Sequence, residues 1–437
     1  MPGGGGNRTL SRRLLLGLAG AGLLAAQGLT GAAALARSPE ARNAKLDEAL
    51  RGLVENRSTP GIAVVILQDG RPVYSRSVGA REPGGSAPIG AADMFRLASM
   101  TKAVTTVAAM ILVEEGRIGL DDPISRHLPE FANLRVRRAD GALVAATRPP
   151  TMRELLTHTA GFSYNFMNHP NVVDAYREAR VTDGLDQPDV TTAEAMRRLA
   201  AAPLAFQPGT AWHYSLATDV LGAVVERVTG GTLGAFVAER IAKPLRIESW
   251  AFNVPAAERP RFVPVTRPAQ PTLALGTGYV PVTATEGVPF PATRGTAVLD
   301  PERAFSPTAY HSGGAGMSGT LGDYARFAQM LLNAGELDGV RVLRAETVRQ
   351  MTANATGGMP TLRGPGWGFS LGFGVVTDPA AAKTGLPAGS YGWGGIFGTQ
   401  FWIDPANRVA GVVMTQTAVI GSGPIANAVR EAFYAPD

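Results

Sequence analysis

Three observations predict an α/β protein of the α+β kind, with an antiparallel sheet flanked by helices, built from both chain ends and interrupted by an inserted helical domain. Apolar runs bounded by turn residues lie near both ends, at residues 62–67 and 72–78, then at 367–377, 391–403 and 409–416. Helical periodicity dominates between them. The chain has 437 residues, 45% hydrophobic and 18% charged, which is enough length and ordinary enough composition to bury a full core. The expected division is residues 38–118 with 310–437 as the α/β domain, and 119–309 as a mostly helical insertion with long loops.

Residues 1–36 read as an export signal. Arg8 and Arg12-Arg13 precede the uncharged run 14–36, which closes on Ala34-Leu35-Ala36. Two arginines directly before Leu14-Leu15-Leu16 resemble the twin-arginine type, so a periplasmic or secreted protein is expected. A membrane is expected to matter only through this segment, if it stays attached. Without its three arginines the chain carries 38 basic against 36 acidic side chains, which leaves no electrostatic footprint for nucleic acid.

The mature chain opens with a helix over 38–56, marked by Leu46, Leu50 and Leu53, followed by a hairpin turning at Asp69-Gly70. A buried helix then runs through 103–113, with Gly116 at its C-terminal cap. Residues 136–144 suggest a small exposed hairpin, and 152–162 a short helix ending at Gly161. Further helices are expected at 192–202, after Leu216 up to Gly230, at 323–332 and at 424–433. From 253 to 307 prolines recur with little periodicity, which predicts a long functional loop or irregular hairpins walling a cleft.

The chemistry concentrates in Phe95-Arg-Leu-Ala-Ser99-Met-Thr-Lys102. A serine and a lysine three apart at a helix start share one face, so the amine can reach the hydroxyl. Serine needs such a neighbouring base, and burial disfavours the charged form of a lysine. The helix start also leaves N–H groups near Ser99 free to stabilise an oxyanion. The chain has four lysines in all, so a chance Ser-x-x-Lys pair is rare. Tyr214 stands at a loop-to-helix junction, where a side chain can be aimed into a cleft. His158 is expected to be a buried histidine bonding its neighbouring loop, not a general base. Zero cysteines exclude disulfides and thiolate metal sites, and the five histidines lack ligand spacing, so neither a metal nor another cofactor is expected.

Taken in order, Ser99-x-x-Lys102, Leu155-Leu-Thr-His158-Thr-x-Gly161, Pro208-Gly209 with Tyr214-Ser215 five residues on, and Gly392-Trp393-Gly394-Gly395 resemble the serine β-lactamase and penicillin-recognising superfamily. Within it the chain is most similar to the β-lactamase-like (family VIII) carboxylesterases. That resemblance implies a β-lactamase/transpeptidase-like fold with the active site between the α/β domain and the insertion. It implies Ser99 as acylated nucleophile, Lys102 as its amine partner and Tyr214 as proton shuttle. It places the oxyanion on the N–H of Ser99 and one after Trp393, namely Ile396.

Two departures bear on substrate. Lactam-cleaving relatives carry an asparagine where this chain has Leu216, and Lys-Thr-Gly where it has Trp393-Gly394-Gly395. Losing both points to small neutral esters, cleaved through an acyl-serine intermediate. A literal Lys383-Thr384-Gly385 exists, but the Pro387 and Gly389 that follow read as a loop. The alternatives are a hydrolase of β-lactams or D-Ala-D-Ala peptides, or a non-catalytic binding protein of the same fold.

Overall fold

The computed structural model describes residues 38–419 and 421–434; the expected export signal lies outside them. Seven strands form one sheet: β1 (Gly61–Gln68), β2 (Arg71–Gly79), β3 (Trp367–Phe369), β4 (Gly374–Val376), β5 (Tyr391–Gly394), β6 (Gln400–Asp404) and β7 (Val409–Met414). Their order is β3-β4-β5-β6-β7-β1-β2 and every pairing is antiparallel. The two chain ends meet inside the sheet, one strand from its β2 edge, where Val64 of β1 faces Val413 of β7.

Side-chain alternation explains why this sheet needs helices on both faces. Along β1, Ile62, Val64 and Ile66 enter one apolar cluster and Ala63 and Val65 the other; along β7, Val409 and Val413 divide from Ala410, Val412 and Met414 in the same way. The first cluster is covered by helix α1 (Pro39–Glu55) and the last helix, Ala426–Tyr434, which pack on each other. Ser38 caps α1, its side chain accepting from the Ala41 N–H, and Pro39 occupies the first turn, where no intrahelical donor is needed. The opposite face is covered by α2 (Thr101–Glu114) and by Leu321–Leu332, which packs on β1, β6 and β7.

The intervening chain holds short helices and small hairpins. Helix α3 (Met152–Leu156) starts with a capping box between Thr151 and Glu154. It stops well before Gly161, because His158 itself takes a left-handed backbone at φ 56°. Helix α4 (Thr192–Ala201) and helix α5 (Ala217–Thr229) follow, the latter closed by Gly230 at φ 75°. The proline-rich stretch forms two hairpins, Thr266–Pro268 with Tyr279–Pro281 and Glu286–Phe290 with Gly295–Leu299.

Two apolar runs expected as continuous strands are each broken into two. Gly372 at φ 94° turns the chain between β3 and β4, and Gly398 at φ 85° turns it between β5 and β6. A helix at Ala345–Thr352 also appears where no expectation had been formed; its buried residues, Thr347, Val348 and Met351, make too narrow a stripe to announce it.

Trp402 of β6 faces Gly411 of β7, and a Cβ on Gly411 would meet the indole at 2.1–2.5 Å. The indole N–H reaches Tyr434 Oη at 3.3 Å, and Tyr434 donates to Asp404 at 3.0 Å, so the last helix is bolted to the sheet through this glycine gap. Gly411→Ala is expected to overpack this contact and lower unfolding free energy by about 1–3 kcal/mol, read as a lower urea midpoint at unchanged m-value.

Candidate active site

The segment before Ser99 is held on both edges. Phe95–Arg96 pairs with Ser318–Gly319, and the side chain of Gln416 exchanges two hydrogen bonds with the Arg96 backbone at 3.1 Å each. The chain then passes through Ala98, fully buried at φ 46°, a backbone conformation costly for a residue with a Cβ. A single 3₁₀ turn, Ala98–Met100, carries Ser99 into α2. Lys102, 1% exposed, sits one turn on, and its Nζ donates to Ser99 Oγ at 3.2 Å.

Helix α5 packs on α2 and brings the second motif to the first. Tyr214, two residues before the α5 N-cap Leu216, donates its phenol to Ser99 Oγ at 2.6 Å. Trp393 of β5 donates its indole N–H to the same phenol oxygen at 3.2 Å. Ser99, Lys102, Tyr214 and Trp393 therefore form one connected cluster. Past Trp393, Gly394, Gly395 and Ile396 turn toward β6. The Gly395 N–H is committed to Thr399 O at 2.7 Å, whereas neither the Ser99 nor the Ile396 N–H donates to another described residue. Ser99, Trp393, Gly394 and Ile396 all line one cleft of about 560 Å³.

His158 is buried, hydrogen-bonded to Ser215 Oγ at 3.1 Å, and packed 5.0 Å from the Tyr214 ring. Burial, then the nearby charge of Lys102, holds its pKa well below the usual histidine value, so it buttresses Tyr214 as a neutral ring. Lys383 ends a short helix in a left-handed turn outside the sheet, as its loop setting implied, yet that loop reaches the cleft wall.

Sequence reasoning missed what surrounds Lys102. Its Nζ also donates to Tyr164 Oη and to Gly314 O, each at 2.8 Å. Tyr164 follows Gly161 by three residues, and Gly314 belongs to the run His311-Ser-Gly-Gly-Ala-Gly316, a glycine cluster that signals close backbone approach. A Cβ on Gly314 would lie 2.2 Å from Asp219 Oδ2 and 2.8 Å from Tyr164 Oη, so only glycine lets this carbonyl reach Lys102. Asp219 of α5 is buried and accepts from Ser312 Oγ at 2.5 Å and from Tyr310 Oη at 3.2 Å. Burial raises its pKa, and Lys102 opposes that rise. Burial, reinforced by Asp219, pushes the Tyr164 phenol well above the usual tyrosine range.

Among the described residues no group of three or more His, Cys, Asp or Glu side chains is placed to hold a metal ion, and no single helix is long and apolar enough to cross a membrane. What remains is a hydroxyl contacted by an amine and a phenol, beside two uncommitted N–H groups. That arrangement can deprotonate a serine, hold a tetrahedral oxyanion and protonate a leaving group.

Fold and site together define a serine hydrolase of the penicillin-recognising superfamily. The Beta-lactamase family matches residues 46–434, and the chain belongs to that family. It is 38% identical to Esterase EstB of Burkholderia gladioli over 398 residues, which is 90% of this chain and 95% of that one. It is 27% identical to a putative D-alanyl-D-alanine carboxypeptidase of Escherichia coli (strain K12), over 82% of this chain and 78% of that one. Among solved structures it is similar to EstCE1, a hydrolase with promiscuous acyltransferase activity, at TM-score 0.80 and 29% identity, covering 91% of this chain and 99% of that one.

The wall that carries Tyr164 and Phe166 hangs on one buried carboxylate. Asp183 accepts from the Asn165 N–H at 2.9 Å, from Asn165 Nδ2 at 3.0 Å and from the Phe166 N–H at 3.4 Å. Burial outweighs these bonds and raises its pKa from 3.8 to about 7. The folded state holds a proton that the unfolded state has lost, so this group's stability contribution is present below pH 3.8 and is lost as pH rises through about 7. The melting temperature of the unmodified protein is expected to decline across that window, and more steeply than that of Asp183→Asn. Parallel melting profiles would show that Asp183 titrates as an ordinary aspartate.

Proposed function

We propose that this protein hydrolyses carboxylic esters through an acyl-serine intermediate. The observation that carries the reading is the convergence on Ser99 Oγ of Lys102 Nζ at 3.2 Å and Tyr214 Oη at 2.6 Å, inside a cleft. In this reading Tyr214, acting as a phenolate beside Lys102, takes the serine proton as Oγ attacks the ester carbonyl. The oxyanion rests on the N–H groups of Ser99 and Ile396, and Tyr214 returns the proton to the departing alkoxide. Water then repeats the sequence and releases the acid. The similarity to Esterase EstB and to EstCE1 supports ester cleavage over the other chemistries of the fold.

The cleft wall supports it further. Phe166, Met167, Leu273 and Phe290 line it with apolar surface, the last two contributed by the proline-rich stretch, and this suits an acyl chain. The likeness to a putative D-alanyl-D-alanine carboxypeptidase keeps lactams and peptides as a second reading. Leu216 and Trp393 stand where that chemistry places an asparagine and a lysine, and this favours esters. We also propose export, on the pattern of Arg12-Arg13 and the uncharged run that follows.

Ser99→Ala is expected to abolish turnover of 4-nitrophenyl esters and labelling by a fluorophosphonate, read by intact mass; a labelled variant would move the nucleophile elsewhere. Lys102→Ala and Tyr214→Phe are each expected to lower kcat by about 10²-fold or more, the usual size of acid–base catalysis. Ester kcat/KM is expected to exceed that for a chromogenic cephalosporin by about 10²-fold or more, since two polar anchors are missing and each is worth about 10-fold or more. Equal rates on the two substrates would favour the lactam reading.

A further inference from the structure

One end of the cleft is cationic. Among its described lining residues Arg363, Lys383 and Arg430 are basic and none is Asp or Glu. Arg363 touches the cluster around Ser99 through Trp393. Its guanidinium carbon lies 4.4 Å from the ring centroid of Trp367 and 4.7 Å from that of Trp393, the same indole whose N–H reaches Tyr214. A Cβ on Gly374 would lie 3.2 Å from Arg363 Nε, so β4 is bare where the side chain crosses it. The arginine is thus held in place, yet no hydrogen bond or ion pair joins its side chain to another described residue.

Arg363 is half-buried, so part of its hydration is lost and needs compensation. Two indoles recover part of the lost hydration by attracting the cation, but they cannot accept its five N–H groups. Burial, with Arg430 adding repulsion, pulls the pKa of Arg363 down to about 9, so the group remains charged at neutral pH. A planar guanidinium covered by rings still presents a fork that matches a carboxylate.

We propose that Arg363 is a specificity-determining residue which receives a carboxylate of the substrate, so that the preferred esters carry a carboxylate a few bonds from the scissile carbonyl. This rests on the ester-hydrolase reading above and revises the neutral-ester expectation drawn from the loss of the Lys-Thr-Gly lysine. The cation has moved to the loop before β3 and reaches the cleft from the far side of Trp393. Lys383 adds a field of the same sign.

The test compares 4-nitrophenyl hydrogen adipate with its neutral terminal amide of equal length. The unmodified protein is expected to prefer the acid, and Arg363→Gln to lower the acid-to-amide ratio of kcat/KM by about 10- to 100-fold, the size of a lost charged hydrogen bond. A fall below fivefold overturns the proposal. Arg363→Lys, which keeps the charge and loses the fork, is expected to restore part of the ratio. Should Arg363→Gln fail to fold, the ratio in the unmodified protein decides: it is expected to fall with added sodium chloride, and indifference to salt overturns the proposal. Turnover of the amide without preference for the acid sinks this inference alone, whereas turnover of neither ester, nor of 4-nitrophenyl butyrate, sinks the ester-hydrolase reading.

Discussion

The buried nitrogen of Lys102 contacts three oxygens, and much of this molecule is arranged to supply them. One is Ser99 on its own helical turn, one is Tyr164 on the wall pinned by Asp183, and one is the Gly314 carbonyl, admitted only because that position has no side chain. Three segments far apart in sequence are therefore locked to a single nitrogen. The α2–α5 contact then brings Tyr214 to the same serine, and β5 brings Trp393 to Tyr214. Because the acceptors come from different elements, Nζ is oriented by the fold as a whole rather than by its own helix, which is the preorganisation that acid–base catalysis needs.

What was legible in the sequence was local. Ser99 and Lys102 share a helical face by spacing, the Asp69-Gly70 hairpin announces its own turn, and Gly230 closes its helix in a left-handed conformation. Trp393 was separable from the literal Lys383-Thr384-Gly385 because only one of them stands in a run able to make a strand. The partners of Lys102 were not legible, since nothing local links Tyr164 or Gly314 to residue 102. The breaks in the C-terminal strands escaped for a related reason: Gly372 and Gly398 look tolerable within apolar runs, and only the tertiary turn reveals their backbone sign. Arg363 was invisible as a site residue because an arginine in a Gly/Pro-rich loop reads as a solvated one until two tryptophans close over it.

The strain at Ala98 and the paired edges around it belong together. A non-glycine residue at positive φ persists only where its surroundings over-determine it. Here Gln416, Met317 and Thr399 fix the backbone of Arg96 and Leu97 on either side of the approach, with Thr399 donating to Leu97 O at 2.8 Å and the Leu97 N–H donating to Met317 O at 2.9 Å. Beyond the kink the Ser99 N–H has no acceptor among the described residues, and Ser99 lines the same cleft as Ile396.

The pairing of β1 with β7 also sets a timetable for synthesis. β1 leaves the ribosome as part of a finished hairpin, but the strand that covers its inner edge begins roughly 340 residues later, a wait of roughly 20–70 s at ordinary translation rates. Throughout that interval one edge of an eight-residue apolar strand offers unpaired N–H and C=O groups to any neighbouring chain. Nascent molecules of this protein are therefore most open to mispairing late in translation, and the last thirty residues decide whether a ribosome releases an enzyme or an aggregation seed.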